Sequence, residues 1–446
     1  MAVVEQGKQL NGEKTSRIRW LLISWLFVLS AVAFLDRVNI SIAGSLLASD
    51  YHLSKIQLGW IFSAFLAGYA LFQTPGGRLA DRLGPRSVLA LGVVWWGVFT
   101  ALTAAVPANV GFALLALMSV RFLLGAGEAV IYPASNQFVA RWIPSTERGL
   151  ANGLIFCGVG VGAGLTPPFI TYLMLKHGWR SSFMVCAVLG LLAGLVWYLI
   201  ARNSPQEHPL VSSNELVRIQ SGLPAWIAAN KRSLISWERM LQSREVLAVT
   251  LSYFSFGYVA WIFFSWFYIY LAEVRGLNLK ASALYSMLPF IAMAVCSPLG
   301  GVASDVITRS RGARAGRSGV AVFAMILAAV FLVLGSSAEN VRIAVLVLAG
   351  GAGALYLSQS SFWSVSADIG GPSSGSVSGF MNMGNQFGGM ITASFTPWIA
   401  ARLGWKAPFF VAAALCLCGA LAWLFVDPSR RLDSAGAPNS PFNANR

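Results

Sequence analysis

Long apolar runs alternate with short polar or Gly/Pro-bearing stretches along the whole chain. Such runs are long enough to cross a bilayer as a helix. The pattern predicts helices near 18–43, 55–77, 86–106, 109–133, 148–173, 179–201, 246–272, 281–303, 318–336, 340–366, 374–400 and 404–426. An all-α membrane protein with twelve transmembrane helices is therefore expected. Between the sixth and seventh runs the pattern breaks. "NSPQEHPLVSSNELVRIQSG" opens a polar, basic stretch over 202–245 that predicts a linker with one amphipathic helix. The expected organisation is a six-helix half over 1–201, the linker over 202–245, a second six-helix half over 246–426, and a tail over 427–446.

Composition agrees with that pattern. The chain of 446 residues is 56% hydrophobic and 11% charged, against about 25% charged in soluble domains. The net charge of +15 raises nucleic acid or anionic lipid as partners, but its placement argues for topology instead. With the N-terminus inside, 22 of the 32 Lys and Arg residues fall on the cytoplasmic side and 8 outside. The excess fixes both termini in the cytoplasm and implies a multi-pass protein of the cell (plasma or inner) membrane. "LSAVAFLD" carries an A-x-A like a signal-cleavage site. The apolar stretch is longer than a signal core and eleven more helices follow, so it is taken as a retained helix. Five cysteines lie in apolar runs with no metal-binding spacing and are expected to be core residues.

The chain also repeats itself. "GGRLAD" (Gly76 to Asp81) is echoed by "GGVASD" (Gly300 to Asp305), and "GWRSSFMVCAVLGLLAGLVWYLI" from Gly178 by "GWKAPFFVAAALCLCGALAWLFV" from Gly404. The offsets are 224 and 226 residues, so two halves with the same orientation are expected. This is the plan of the major facilitator transporters, whose halves rock about a site at mid-membrane. "GGRLADRLGPRS" (Gly76 to Ser87) resembles that superfamily's loop between helices 2 and 3. Its small residues let helices approach closely, and Asp81 is suited to accept from a facing helix N-terminus or from a basic side chain. Gly77, Asp81, Arg82, Gly84 and Arg86 are assigned to a conformational latch, with Arg82 and Arg86 expected to engage acids of the neighbouring surface.

Four charges fall inside apolar helices: Asp36 and Arg37 in the first, Arg121 and Glu128 in the fourth. Each costs about 2.5–3.5 kcal/mol at a helix centre on insertion scales, and such residues line cavities or pair. Arg121 and Glu128 are seven residues apart, two turns along one face, about 10 Å along the axis. Asp36 and Arg37 are adjacent and point about 100° apart, so one can line the cavity while the other pairs with a neighbouring helix. Structural ion pairs are the alternative to a functional site.

"FLDRVNIS", "GWIFSAFLAGYALFQTPGGRLADRLG", "RFLLGAGEAVIYPA" and "SWFYIYL" resemble the anion:cation symporter family, which includes transporters of hexuronates, sugar acids and phthalate. The resemblance covers nearly the whole chain. It implies proton coupling through Asp36 and Glu128, carboxylate binding by Arg37 and Arg121, and a sugar-acid contact from Tyr69. In the second half it implies hydroxyl ligands at Gln359, Trp363, Asn382 and Asn385, where interhelical hydrogen bonding is the alternative. Within the aromatic run of helix 7, Tyr258 or Trp266 is expected to gate the cavity. Three departures set this chain apart. Phe34 replaces a tyrosine common in relatives. "FCGVG" (Phe156 to Gly160) replaces F-N-S-x-Q, losing an amide ligand. Tyr268 stands where helix 7 commonly has proline. A less hydroxylated acid than galactonate or glucarate fits these changes.

No catalytic set is present: His52, His177 and His208 are placed in loops, and no phosphate-binding loop occurs. The expectation is a proton symporter that imports an organic carboxylate, not an enzyme, with no cofactor or metal and with sodium as the alternative coupling ion. Its partners are the substrate anion and the bilayer, not nucleic acid, and it is expected to act as a monomer. The rival, a drug/proton antiporter, commonly carries G-P-x-x-G-G late in helix 5, where this chain reads "GLTPPF" (Gly164 to Phe169). A membrane sensor would need a signalling domain that neither the linker nor the tail is large enough to supply.

Overall fold

The computed structural model describes residues 15–108, 111–223, 234–267 and 270–432. Tyr268 lies outside the described residues. The first half comprises α1 (Ile18–Asp50), α2 (Lys55–Leu83), α3 (Pro85–Ala105), α4 (Ala113–Glu128), α5 (Ile131–Trp142), α6 (Arg148–His177) and α7 (Trp179–Ile200). The linker contributes α8 (Ser213–Gly222) and α9 (Trp237–Gln242). The second half comprises α10 (Arg244–Ser265), α11 (Leu279–Ser286), α12 (Leu288–Arg311), α13 (Val320–Ser337), α14 (Val341–Leu357), α15 (Gln359–Gly370), α16 (Ser374–Leu403) and α17 (Lys406–Trp423). Among the described residues, α4 with α5, α11 with α12, and α14 with α15 each form one broken rod, which makes twelve rods of spanning length. Ten stretches are long and apolar enough to cross a membrane by length and composition, the stretch Val341–Ala393 covering parts of two rods.

Besides the break at Met287, just ahead of Pro289, two rods break where the sequence predicts continuous helix. Pro133 ends the predicted fourth helix, yet the chain re-enters helix as α5 and continues to Trp142. Proline has no N–H to give the carbonyl four residues back, and its ring crowds that carbonyl. The interruption therefore falls at Ala129–Val130, directly after Glu128, and Pro133 sits in the first turn of α5 where it is tolerated. The second break lies at Ser358, whose hydroxyl donates back to the Leu355 carbonyl at 2.6 Å, a bond that competes with the helix ladder. Two further boundaries move. α2 runs on to Leu83, so the "GGRLAD" stretch is helical rather than a loop, and His177 closes α6 rather than lying in a loop.

The described ends and the linker share one face, called here the linker face. Glu215 of α8, fully buried, accepts from the Ile18 N–H (3.0 Å), the Arg19 N–H (3.2 Å) and the Arg19 guanidinium (3.2 Å) at the start of α1. A carboxylate is favoured at a helix N-terminus, where the first N–H groups lack partners. Arg19 and Arg218 also pair with Glu147, just ahead of α6. At the other end of the chain, Arg430 pairs with Glu245 of α10 at 3.6 Å. Replacing Glu215 by Ala strips these donors of their acceptor, a loss of about 1–3 kcal/mol. The variant is expected to melt at lower temperature in detergent, and an unchanged melting temperature would show that α8 does not brace the bundle.

The two halves meet along α2–α16 and α6–α12. Gly77 packs on the Gly375 backbone, so that a Cβ on Gly77 would overlap the Gly375 carbonyl. Gly301 faces Gly149 in the same way. These pairs fall at the positions of the sequence repeat, 224 residues apart on one side and 226 on the other.

Candidate functional site

The four intramembrane charges converge where α1, α3 and α4 pack. Their neighbours divide the roles that adjacent positions cannot share. Asp36 points to α3, where its Oδ2 accepts from Trp96 Nε1–H (2.8 Å) and from the Thr100 hydroxyl (2.6 Å). Arg37 points to α4, and its Nε and Nη2 donate to Oε1 of Glu128 at 3.0 and 2.5 Å. Asp36 and Glu128 have no solvent exposure, and Arg121 is 1% exposed. Both bonds are charge-assisted, and both end on the same oxygen.

Arg121 is the exception. Among the described residues it forms no ion pair, and its Nε and Nη1 have no hydrogen-bond partner. Its guanidinium lies 4.9 Å from the Phe65 ring centre, a cation–π contact that leaves the N–H edges free. Oδ1 of Asp36 and Oε2 of Glu128 are likewise without partners among the described residues. A buried polar atom left unmatched is costly, so the cluster carries unmet donors and acceptors of both signs. Arg37 is wrapped more fully. Its guanidinium lies 4.4 Å from Tyr69, 4.5 Å from Phe34 and 5.7 Å from Phe65. Phe34, which offers no hydroxyl, thus supplies a ring face to the charge, and it also approaches Phe264 of α10 at 5.8 Å.

The second half brings a different set together. Gln359 Nε2–H and Trp363 Nε1–H both donate to the Tyr253 hydroxyl, at 2.8 and 2.9 Å. Tyr253, on α10, is absent from the residues singled out in the sequence, because nothing in the evenly aromatic run of helix 7 distinguishes it. Asn385 donates to Asn382 at 3.2 Å, leaving its own Oδ1 without a partner among the described residues. Of the two proposed gates, Trp266 faces Trp405 at 6.4 Å, while the Tyr258 carbonyl accepts from Thr392 at 2.7 Å.

A ring wall joins the halves. Tyr132 stacks on Phe156 at 4.9 Å and 17°, and Phe156 lies 5.0 Å from Trp363. The missing amide of helix 5 has a steric basis. A Cβ at Gly160 would sit 2.6 Å from the Phe290 carbonyl oxygen and 2.7 Å from the Ala294 nitrogen. Here α6 and α12 are too close for any side chain, let alone glutamine. Gly160→Gln should cost stability and give no gain in affinity for polyhydroxylated acids. Tighter aldonate binding by that variant would contradict the packing argument.

The latch residues gather at the linker face. Asp81 Oδ1 accepts from the Gly375 N–H (2.9 Å), and Oδ2 from the Ser376 N–H (2.8 Å) and hydroxyl (2.5 Å), at the N-terminus of α16. Its repeat partner Asp305 does the same to α6, accepting from Gly149 N–H (2.9 Å) and Leu150 N–H (2.7 Å). Each half thus caps a helix of the other. Arg317 binds Asp305 at 2.7 Å, and Arg148 binds Asp368 at 2.5 Å. The repeat carried a signal for Asp305, but nothing marked Arg148, Arg317 or Asp368 as its neighbours. Gly84 adopts φ +89°, a left-handed conformation suited to glycine, and turns the chain from α2 into α3. Arg86 differs from expectation. It donates to the Tyr198 carbonyl at 2.8 and 3.0 Å and not to an acid, because the end of α7 is its nearest neighbour. Arg82 is exposed.

The chain matches the family described as Major Facilitator Superfamily over residues 26–393 and 286–444. A relative from Cupriavidus necator, named probable sulfoacetate transporter SauU, is 33% identical over 424 residues, 94% of this chain and 96% of its own length. A chloroplastic ascorbate transporter of Arabidopsis thaliana is 32% identical over 417 residues, 93% of this chain and 76% of its own. The solved structure of the proton:xylose symporter XylE with 6-bromo-6-deoxy-D-glucose aligns with a TM-score of 0.74 at 16% identity, covering 93% of this chain and 98% of that one. That likeness bears on the fold.

Proposed function

This chain belongs to the Major Facilitator Superfamily, and from that premise we propose that it imports a small organic carboxylate together with a proton, its halves alternating access to a site between them. It is a multi-pass membrane transporter and not an enzyme. The reading places it in the cell membrane with the linker face toward the cytoplasm, in keeping with the basic residues gathered there. The observation that carries it is the buried four-charge cluster, in which Arg121 retains two guanidinium nitrogens without partners. A carboxylate supplies acceptors of opposite charge for such unmet donors.

Arg121 is the primary anchor. Arg37, already bonded to Glu128, is the exchangeable one. When the substrate draws Arg37 away, Glu128 loses its counter-charge and binds a proton more readily. Asp36 is the second proton carrier. Tyr69, Gln359, Trp363, Asn382 and Asn385 contact the rest of the substrate. With Phe156 and Trp363 forming a ring wall and no amide at Gly160, the substrate is a sparsely hydroxylated acid. A thermal-shift panel of purified protein tests this directly. Short or aromatic monoacids and diacids should stabilise the protein, aldonates less so. Stabilisation by lipophilic cations alone would instead support the drug-antiporter alternative.

The latch assigned to Gly77, Asp81, Arg82, Gly84 and Arg86 is supported by Gly77 and Asp81, which meet α16 of the other half. Gly77→Val should prevent closure of the linker face, because a side chain there meets the Gly375 carbonyl. A cysteine placed on the inner surface near that face should then react faster with thiol reagents. Unchanged labelling would remove Gly77 from the latch.

A further inference from the structure

Asp36 is bound in an unusually lopsided way. Both of its hydrogen bonds, from Trp96 Nε1–H at 2.8 Å and the Thr100 hydroxyl at 2.6 Å, end on Oδ2. Oδ1 is buried and has no partner among the described residues. The two donors are four residues apart on α3, so they lie on one helix face and reach the same atom. We propose that Trp96 and Thr100 are positioning residues which hold Oδ2 of Asp36 and leave Oδ1 as the atom that takes and releases the coupled proton. This rests on the reading of Asp36 as a proton carrier and assigns it an atom and a support.

The chemistry follows from donor and acceptor counting. Oδ2 has two in-plane lone pairs and gives both to these donors, so a proton on Oδ2 would displace one of the two hydrogen bonds. A proton on Oδ1 leaves both bonds intact. The carboxylate is therefore already oriented, and protonation requires no rearrangement of α3.

Other groups act on the same carboxyl. Arg121 and Glu128 approach from α4, Arg37 lies beside it on α1, and the Cys186 thiol faces it from α7. α6 packs along α1 through Gly158 and Gly162, against Phe27, Ser30 and Ala31. The donors from α3 are the part of this environment that stabilises the charged carboxylate by direct hydrogen bonding. Removing one should make proton binding tighter.

The test is the external pH dependence of uphill accumulation by the full-length protein in proteoliposomes. Thr100→Val should move the midpoint to higher pH by about one unit, a tenfold tighter proton site, the size expected for losing one hydrogen bond to a charged group. Thr100→Ser should restore the wild-type midpoint, because the hydroxyl returns. Trp96→Phe should shift the midpoint in the same direction while keeping the ring, and it serves if Thr100→Val fails to fold. A lower rate at every pH with an unmoved midpoint would show that the pair is merely structural and would overturn the proposal. Asp36→Asn separates the two levels. If it still accumulates substrate uphill, the proton-carrier reading itself falls. If it is uncoupled while the Thr100 and Trp96 midpoints stay fixed, this inference alone falls.

Discussion

Proteoliposomes carrying Asp36→Asn should exchange labelled substrate at near wild-type rates yet fail to accumulate it against a concentration gradient under an inward proton gradient. The amide keeps the size and one oxygen of the carboxyl, so Trp96 and Thr100 still have an acceptor at their 2.8 and 2.6 Å positions. What it cannot do is change charge. A site that no longer needs a proton to become neutral can load and rock with substrate at any pH. Exchange therefore survives, while the coupling that drives uphill transport is lost. If Asp36→Asn accumulates substrate like wild type, the coupling proton is carried elsewhere. A variant dead for exchange as well would assign Asp36 to the structure of the α1–α3 contact. The expected effect is large because asparagine cannot carry the proton at all.

Arg121→Ala should abolish substrate binding while the bundle still folds. Removing one partner of a buried charged hydrogen bond costs about 2–5 kcal/mol, equivalent to an affinity loss of about 30-fold to several-thousand-fold. Because Arg121 has no ion pair among the described residues, its loss breaks no bonded pair with Asp36 or Glu128. Arg37→Ala is different. It takes away the bonded partner of a fully buried Glu128 and should also abolish carboxylate transport, but with a loss of stability that Arg121→Ala lacks. Isothermal titration alongside thermal melting separates the two. Binding that persists in Arg121→Ala would move the anchor to Arg37, and intact uptake by Arg37→Ala would remove Arg37 from the site.

The contrast between these arginines shows where sequence reasoning stops. The divergent directions of Asp36 and Arg37 follow from helix geometry, as does the shared face of Arg121 and Glu128. Which base meets which acid does not follow, because it depends on how α1, α3 and α4 rotate against each other. The same limit hides Trp96 and Thr100. They read as ordinary members of an apolar helix until packing brings them to Asp36. The repeated glycine–aspartate motif marks both Asp81 and Asp305, since a repeat is written in the chain. Their targets lie 294 and 156 residues away along the sequence and are not. Proline is a helix breaker, but whether Pro133 ends or merely interrupts the helix depends on the polar α5 being covered by its neighbours. α5 is polar by composition, with Ser135, Asn136, Gln137 and Arg141, and the neighbouring helices bury its Ser, Asn and Gln side chains.

Joint entry of an organic anion and a proton through the Asp36–Arg37–Arg121–Glu128 cluster is tested most directly by recording lumenal pH in proteoliposomes when a stabilising carboxylate from the thermal-shift panel is added outside, with no sodium present. Lumenal acidification in step with substrate uptake, absent from Asp36→Asn vesicles, is the predicted result. Uptake without acidification, or uptake that appears only when sodium is supplied, would contradict the account.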